Sequence, residues 1–346
     1  MVTRLRFLLS AALAGHAIAL SGMAADPFDI FRPGVELRPA ERQALDRGAP
    51  ALTLPAADGR QFAVFSAIGI DSEDRGRVTG WMRHIEQLRK NRYVEATGRF
   101  STPIHETDIG AITLDARDLN DIKNCRPGRC NVKLSAAEMQ HLQRVIAASG
   151  TEWRAAVQRA FQTLVLRRVS TYVKGGHTAL DDYADHRVPR SPSDAFRLVA
   201  GRTTILDRVA PGILEQAARC PATLLGPRRG FIYWSKVRLG EKTVISATHV
   251  VFVEPKEDPS VEMLAIGIQI FATHYLDAAL EITAVVRNPD WSTRYLVHIH
   301  RSEVDLLDGI WGGLARSAIA SRIRKDGPAM LEAARYRLTA LAPPGP

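Results

Sequence analysis

Four β-rich segments crowd the last third of the chain, and the shortness of what joins them decides how they pair. Phe231 to Leu239, Thr243 to Val253, Met263 to Val286 and Tyr295 to Val304 are dense in β-branched and aromatic residues. Gly240-Glu241, Pro255 to Pro259 and Asn288-Pro289-Asp290 separate them. A parallel pair needs a crossover of a dozen residues or more, so neighbours joined this way pair antiparallel. The longest segment reads as one strand from Leu264 to Ile282. Its even positions, Leu264, Ile266, Ile268, Ile270, His274, Leu276, Leu280 and Ile282, share one face, and Thr273, Tyr275, Asp277, Glu281 and Thr283 share the other. Parity therefore puts His274 inside, facing a terminal helix across a pocket, because a slip of one residue would expose the aliphatics. The segment is no membrane span, since Glu262, Gln269, His274, Asp277 and Glu281 interrupt it.

Upstream, Gln61 to Ile70 is a strand rich in apolar residues on both faces. Asp71-Ser72 can cap a helix carrying Val78, Trp81, Met82, Ile85 and Leu88, and Tyr93 to Phe100 returns to strand character. The opening unit is β-α-β. Residues 112 to 222 read as four to six helices without a strand. Their signals are a Ser135-x-x-Glu138 capping box, a face of Trp153, Val157, Phe161 and Leu164 ending at Gly175-Gly176, and an N-cap at Ser191 followed by proline. Asp115, Asp118 and Asp121 read as the cap and face of a helix rather than a calcium loop, which lacks its glycine and closing glutamate here. After the last strand, Leu307, Ile310, Trp311, Leu314 and Ala318 line a helix reaching Ile323, and Gly327-Pro328 separates it from a last short helix.

The expected fold class is α+β: an antiparallel sheet packed against a long C-terminal helix, with a large all-helical insertion. The segments are a signal peptide at 1–24, an extended arm at 25–58 with at most one short helix near Pro39, a first β-α-β part at 59–111, the insertion at 112–224, and the strands with the terminal helix at 225–341. This order of elements resembles START-type helix-grip lipid-binding domains. Tyr233 to Leu239, the Leu264 to Ile282 strand and the Leu307 to Ile323 helix carry the likeness, which covers about half the mature chain. The helical segment departs from the usual pattern as an insertion. The resemblance implies a lipid-like ligand held between sheet and helix.

The first residues point to export. Arg4 and Arg6 precede an apolar stretch from Phe7 to Leu20, and Gly22-Met23-Ala24 offers small residues for cleavage. The stretch is about 14 residues, short of the roughly 20 that span a bilayer. A periplasmic or secreted location follows, and there Cys125 and Cys130, which bracket a Pro-Gly turn, should pair, leaving Cys220 free. The net charge of +9 is spread along the chain rather than gathered in a stripe, which argues against nucleic acid. It reads as a solvated basic surface, with peripheral contact to anionic lipid as its second use.

Chemistry is less legible. The elbow serine, P-loop, H-E-x-x-H zinc and dinucleotide motifs are all missing, so no cofactor or metal is expected and catalytic residues are unknown. The ligand-contact candidates are His249 and His274 in the sheet, Tyr233 and Trp234 as large amphipathic side chains, and Trp311 at the glycine-flanked start of the terminal helix. Hydrogen-bonded core roles compete for the histidines, and solvent exposure is the simpler account of His298 and His300. The leading functional expectation is a non-enzymatic exported protein that binds an apolar or lipid-like small molecule between sheet and helix. The alternatives are a periplasmic enzyme using His249 or His274 as acid-base group, and an envelope structural or interaction protein.

Overall fold

The computed structural model describes residues 26–70, 74–219, 221–256, 258–288 and 293–345. The expected signal peptide, the Asp71-Ser72 cap and Cys220 lie outside these. The elements run α1 (Pro39–Asp46), β1 (Ala51–Thr53), β2 (Gln61–Ile70), α2 (Arg75–Met82), α3 (Ile85–Leu88) and β3 (Val94–Arg99). Then come α4 (Ala116–Asn124), α5 (Ala136–Ser149), α6 (Trp153–Gly175), α7 (Pro192–Ala200), α8 (Ile205–Val209) and α9 (Ile213–Arg219). Last are β4 (Gly230–Leu239), β5 (Lys242–Val253), β6 (Val261–Ala272), β7 (Leu276–Arg287), β8 (Arg294–Val304) and α10 (Gly312–Ala340).

The strands form one eight-stranded sheet in the order β1-β2-β8-β7-β6-β5-β4-β3, antiparallel at every pairing. The α+β class therefore holds, with the terminal helix on the sheet and an all-helical insertion between β3 and β4. The two strands of the opening β-α-β unit do not pair. β2 lies beside β8 and β3 beside β4, so α2 and α3 carry the chain across one face of the sheet.

Both faces are covered. On one, Val78, Trp81, Met82, Ile85 and Leu88 pack with Ile68, Ile70, Val285 and Leu296, and α10 adds Leu331 and Leu338. Further along the same face, Phe62, Val64 and Val304 meet Ala320 of α10. On the opposite face, the N-terminal arm and α7 to α9 cover Phe65, Ile266, Ile282 and Ile299, while α4 to α6 cover Trp234, Ile245 and Phe271. The arm is packed rather than loose: the Phe31 ring meets Phe65 at 5.2 Å and the Phe28 ring meets Tyr295 at 5.0 Å. Each such buried aromatic or aliphatic side chain contributes about 1.5 to 3 kcal/mol of burial.

Two expectations need correction. The expected Leu264 to Ile282 strand is a hairpin, β6 and β7, that turns through Thr273, His274 and Tyr275, with Tyr275 left-handed at φ 66°. Nothing local demands that turn, since no glycine, proline or asparagine occupies it. Tertiary bonds hold it instead: the Lys133 amide donates to the Thr273 carbonyl at 2.9 Å, the Asp305 amide to the Tyr275 carbonyl at 2.8 Å, and the Ile245 amide to Thr273 Oγ1 at 3.0 Å. The aliphatic parity survives for Ile266, Ile268, Leu280 and Ile282, because the hairpin register sets Ile266 opposite Ile282 and Ile268 opposite Leu280, but Leu276, ahead of a register shift, packs on the opposite face with Phe62 and Val64. The first four face the insertion, however, and not α10. The second correction concerns Gly327-Pro328, which does not end the terminal helix: α10 is continuous for 29 residues with Pro328 inside it. Proline removes one backbone donor, and the packing of Leu331 and Leu338 onto α2 and α3 holds the helix beyond it.

Candidate ligand site on the inner face of the sheet

Antiparallel register places Glu281 of β7 directly opposite His300 of β8, and Thr283 opposite His298. All four side chains point to the face that carries α2, α3 and α10, between the two apolar clusters there. Arg89, just past the end of α3, comes down onto them. Its guanidinium pairs with Glu281 and donates to Thr283 Oγ1 at 2.7 Å. His298 Nδ1 lies 3.3 Å from both Arg89 and Thr283. His300 Nδ1 is 3.2 Å from Glu281 Oε1 and its Nε2 is 3.1 Å from Ser302 Oγ. On the other side of Glu281 stands Gly267, where a Cβ would press within 3.4 Å of the carboxylate, so this glycine leaves the acid its room.

Burial alone would raise the Glu281 carboxyl, yet the Arg89 charge and the His300 hydrogen bond outweigh it and hold the group well below the usual carboxylate range. His298 is pushed down to about 3, first by burial and then by the Arg89 charge. It is therefore neutral at pH 7, and its Nδ1 accepts from Arg89, which puts its proton on Nε2. The side chains of Arg89, Glu281 and His300 are still 24%, 26% and 24% exposed. Water thus reaches an ion pair in the middle of a sheet face that is closed on both sides.

The residues expected from sequence scatter. Tyr233 belongs to this site: it shares the face, hydrogen-bonds Thr248, and is pushed up to about 12 by burial and by the nearby Glu281. Trp234 points the other way, donating from Nε1 to the Asp108 carbonyl at 2.8 Å and lying against Gly98. His249 is fully buried on that opposite face with Nδ1 3.0 Å from the Tyr172 hydroxyl, and burial pushes it down to about 4. His274 is buried in the hairpin turn, where Nε2 meets Asp118 at 3.0 Å and Nδ1 the Asn131 carbonyl at 2.7 Å. It faces α4 rather than α10. Trp311, at the N-cap of α10, is 68% exposed. His298 and His300, expected in solvent, are half-buried because α3 and α10 cover their face. Arg89, Glu281 and Thr283 went unrecognised as a group, and only the presence of an acid within an apolar strand signalled them.

A second ionic cluster lies at the end of the sheet. Lys133 is 1% exposed, and its Nζ stands 2.6, 3.0 and 3.4 Å from Asp277, Asp305 and Asp185. Asp185, His186 and Asp305 offer ligand atoms within 4.8 Å of one another, spacing that would suit a metal. The carboxylate oxygens that converge there already hold the Lys133 ammonium, which the three acids keep charged against burial. The cluster joins the insertion, through Lys133 and Asp185, to Asp277 of β7 and to Asp305, the first residue past β8.

Cys125 and Cys130 are disulfide-bonded, and among the described residues no helix is long and apolar enough to cross a membrane. No protein-family model matches the chain.

Proposed function

We propose that the protein binds an amphiphilic small molecule, without turning it over, in the space between the sheet and α10. The ligand's polar end hydrogen-bonds the Arg89, Glu281 and His300 cluster, and its apolar part lies against the aliphatic side chains flanking that cluster. One observation carries the reading: a water-reachable ion pair with two imidazoles interrupts an otherwise apolar face. For stability alone, apolar residues of similar volume would serve such a position as well or better, and polar sets retained at that cost mark functional sites. The START-like order of elements supports the same location. The Cys125–Cys130 bond supports an exported protein, periplasmic or secreted.

Native mass spectrometry of protein purified from its own host tests this. Wild type should carry a bound molecule that Glu281→Gln and His300→Ala lose while still folded at the assay temperature, Glu281→Gln with a lowered melting temperature because it strands the Arg89 charge. Retention by both variants would place the ligand elsewhere. An enzymatic reading is favoured by the 3.2 Å contact of His300 with Glu281, a carboxylate-oriented imidazole suited to proton transfer. It would show as conversion of the bound molecule by wild type and not by His300→Ala. His249 and His274 are sealed from solvent and hydrogen-bonded, which moves any acid-base role to His300.

A further inference from the structure

Ser302 stands two residues beyond His300 on β8 and so shares its face of the sheet. Its hydroxyl lies 3.1 Å from His300 Nε2, while Glu281 Oε1 lies 3.2 Å from Nδ1 of the same ring. The placement of the protons follows from charge. Arg89 pairs with the other carboxylate oxygen of Glu281 and keeps the group ionised, so Glu281 can only accept. In the neutral ring Nδ1 therefore carries the proton, Nε2 is a bare acceptor, and the Ser302 hydroxyl donates to it. That is its one side-chain hydrogen bond among the described residues. A hydroxyl, an imidazole placed to take its proton and a carboxylate that orients the imidazole are the parts of an activated serine.

The surroundings of the hydroxyl suit the two halves of an ester. On one side is the water-reachable Glu281 and His300 pair; on the other is the apolar cluster of Phe62, Val64 and Val304 beneath Ala320 and Ile323 of α10. Ser302 is 2% exposed, so a carbonyl reaches it only if α10 yields. The helix is seated to allow that. Gly312 and Ala320 are the buried residues of its first half, over Ser302, whereas Leu331 and Leu338 anchor the second. Ser302 also lies on an inner strand, between Phe62 of β2 and Ala279 of β7, and its amide serves the ladder instead of a tetrahedral oxyanion. The arrangement thus favours a single acyl transfer to the serine over repeated hydrolysis.

We propose that Ser302 is a nucleophile and that the amphiphile held under α10 is a carboxylic ester whose acyl group passes to it, which rests on the binding site proposed above. Ser302 Oγ attacks the ester carbonyl carbon as its proton moves to His300 Nε2. The bond to the alcohol oxygen then breaks, the alcohol takes that proton from the imidazolium and leaves, and the acyl group stays as an ester of Ser302. Glu281 is a positioning residue. The mature full-length protein is incubated with p-nitrophenyl octanoate, and nitrophenolate release and intact mass are followed together. Wild type should release one equivalent in a burst and gain one octanoyl group, which peptide mapping places on Ser302. Ser302→Ala should abolish both yet retain, in native mass spectrometry, the molecule that copurifies with wild type. Loss of the label then tests the nucleophile, and loss of the copurifying molecule tests the pocket. At saturating ester, which removes any effect of weaker binding, His300→Ala should slow labelling at least about a hundredfold. Glu281→Gln should do the same, because an amide donor at Nδ1 moves the ring proton to Nε2. Release beyond one equivalent that Ser302→Ala abolishes would keep Ser302 as nucleophile and refute binding without turnover. No burst from wild type, a label mapped to another residue, or equal labelling of Ser302→Ala would each overturn the proposal. Mapping on wild type needs no variant, so the test survives a variant that folds poorly.

Discussion

Replacing Lys133 by methionine keeps the volume of the stem and removes only the charge, so it isolates what the ammonium does. Asp277, Asp305 and Asp185 would then face a thioether at about 2%, 13% and 4% side-chain exposure. Arg60 still reaches Asp277, and the half-exposed His186 still reaches the other two. Breaking a buried pair from one side costs about 3 to 5 kcal/mol. At about 2 to 4 °C per kcal/mol for a large domain, the melting temperature should fall by roughly 6 to 20 °C. The pH response gives a sharper check. In the wild type, burial opposes ionisation of Asp305, but the His186 hydrogen bond and the Lys133 charge hold its carboxyl below the usual range. That contribution is complete above the unfolded value of about 3.9 and is lost only as pH falls through the lower folded one. The Lys133 amine is held above its usual range, so its contribution is complete below about 10.4 and is lost as pH rises past the folded value. Lys133 and Asp305 therefore add no pH response across the neutral range, and only His186 does: its hydrogen bond to Asp305 raises its imidazole, so its contribution is complete below about 6.5 and is lost as pH rises past the folded value. In Lys133→Met Asp305 loses the Lys133 charge that helps hold its carboxyl down and the uncompensated acids repel one another, so mild acid should recover part of the lost stability. Thermal melts followed by circular dichroism at pH 7 and pH 5 read both effects. A variant melting within about 2 °C of wild type, or responding to acid as wild type does, would show that the ammonium is not what holds the insertion to the sheet.

His274→Ala removes a hydrogen bond to Asp118 and one to the Asn131 carbonyl. It should lower the urea midpoint by the equivalent of about 1 to 3 kcal/mol and leave any ligand under α10 in place. Loss of ligand with unchanged stability would contradict its placement against α4. His249 and His177 are each pushed down to about 4 by burial and are neutral in the folded protein. Folded values below the unfolded one of about 6.5 mean that stability is full above that pH and is lost as pH falls from there towards 4. His249→Phe should flatten this acid loss in a denaturation series, and an unchanged slope would mean that the imidazole is already charged in the fold.

Much of the architecture was readable because its signals are local. β2 begins and ends where its apolar run does, β8 lies within a residue of the expected bounds, and Ser135 and Ser191 cap α5 and α7 as their spacing requires. What failed was decided from a distance. The turn at Thr273 to Tyr275 carries no turn residue, and Lys133, Asn131 and Asp305 impose it from other parts of the chain. Pro328 is a correct local signal for a helix end, overridden where Leu331 and Leu338 gain burial on α2 and α3.

The site was harder to read for a related reason. Parity assigned Glu281 and Thr283 to the face opposite the aliphatics, and His298 and His300 to the face opposite Val297 and Ile299, and both assignments describe the structure. Equating that polar face with solvent was the misstep, because a sheet clothed on both sides has no solvent face. Helices α2 and α3 cross it between β2 and β3, and α10 returns over it, so alternation there separates two covered faces, and the polar set interrupts the apolar packing of one of them. Arg89 closes the argument. It stands beyond the last turn of α3 with no periodicity to mark it, and only the strand order, which places β7 and β8 beneath α3, brings its guanidinium to Glu281. Once two layers are known to cover the sheet, an acid and two histidines at cross-strand spacing require a cation from the covering layer, and Arg89 supplies it.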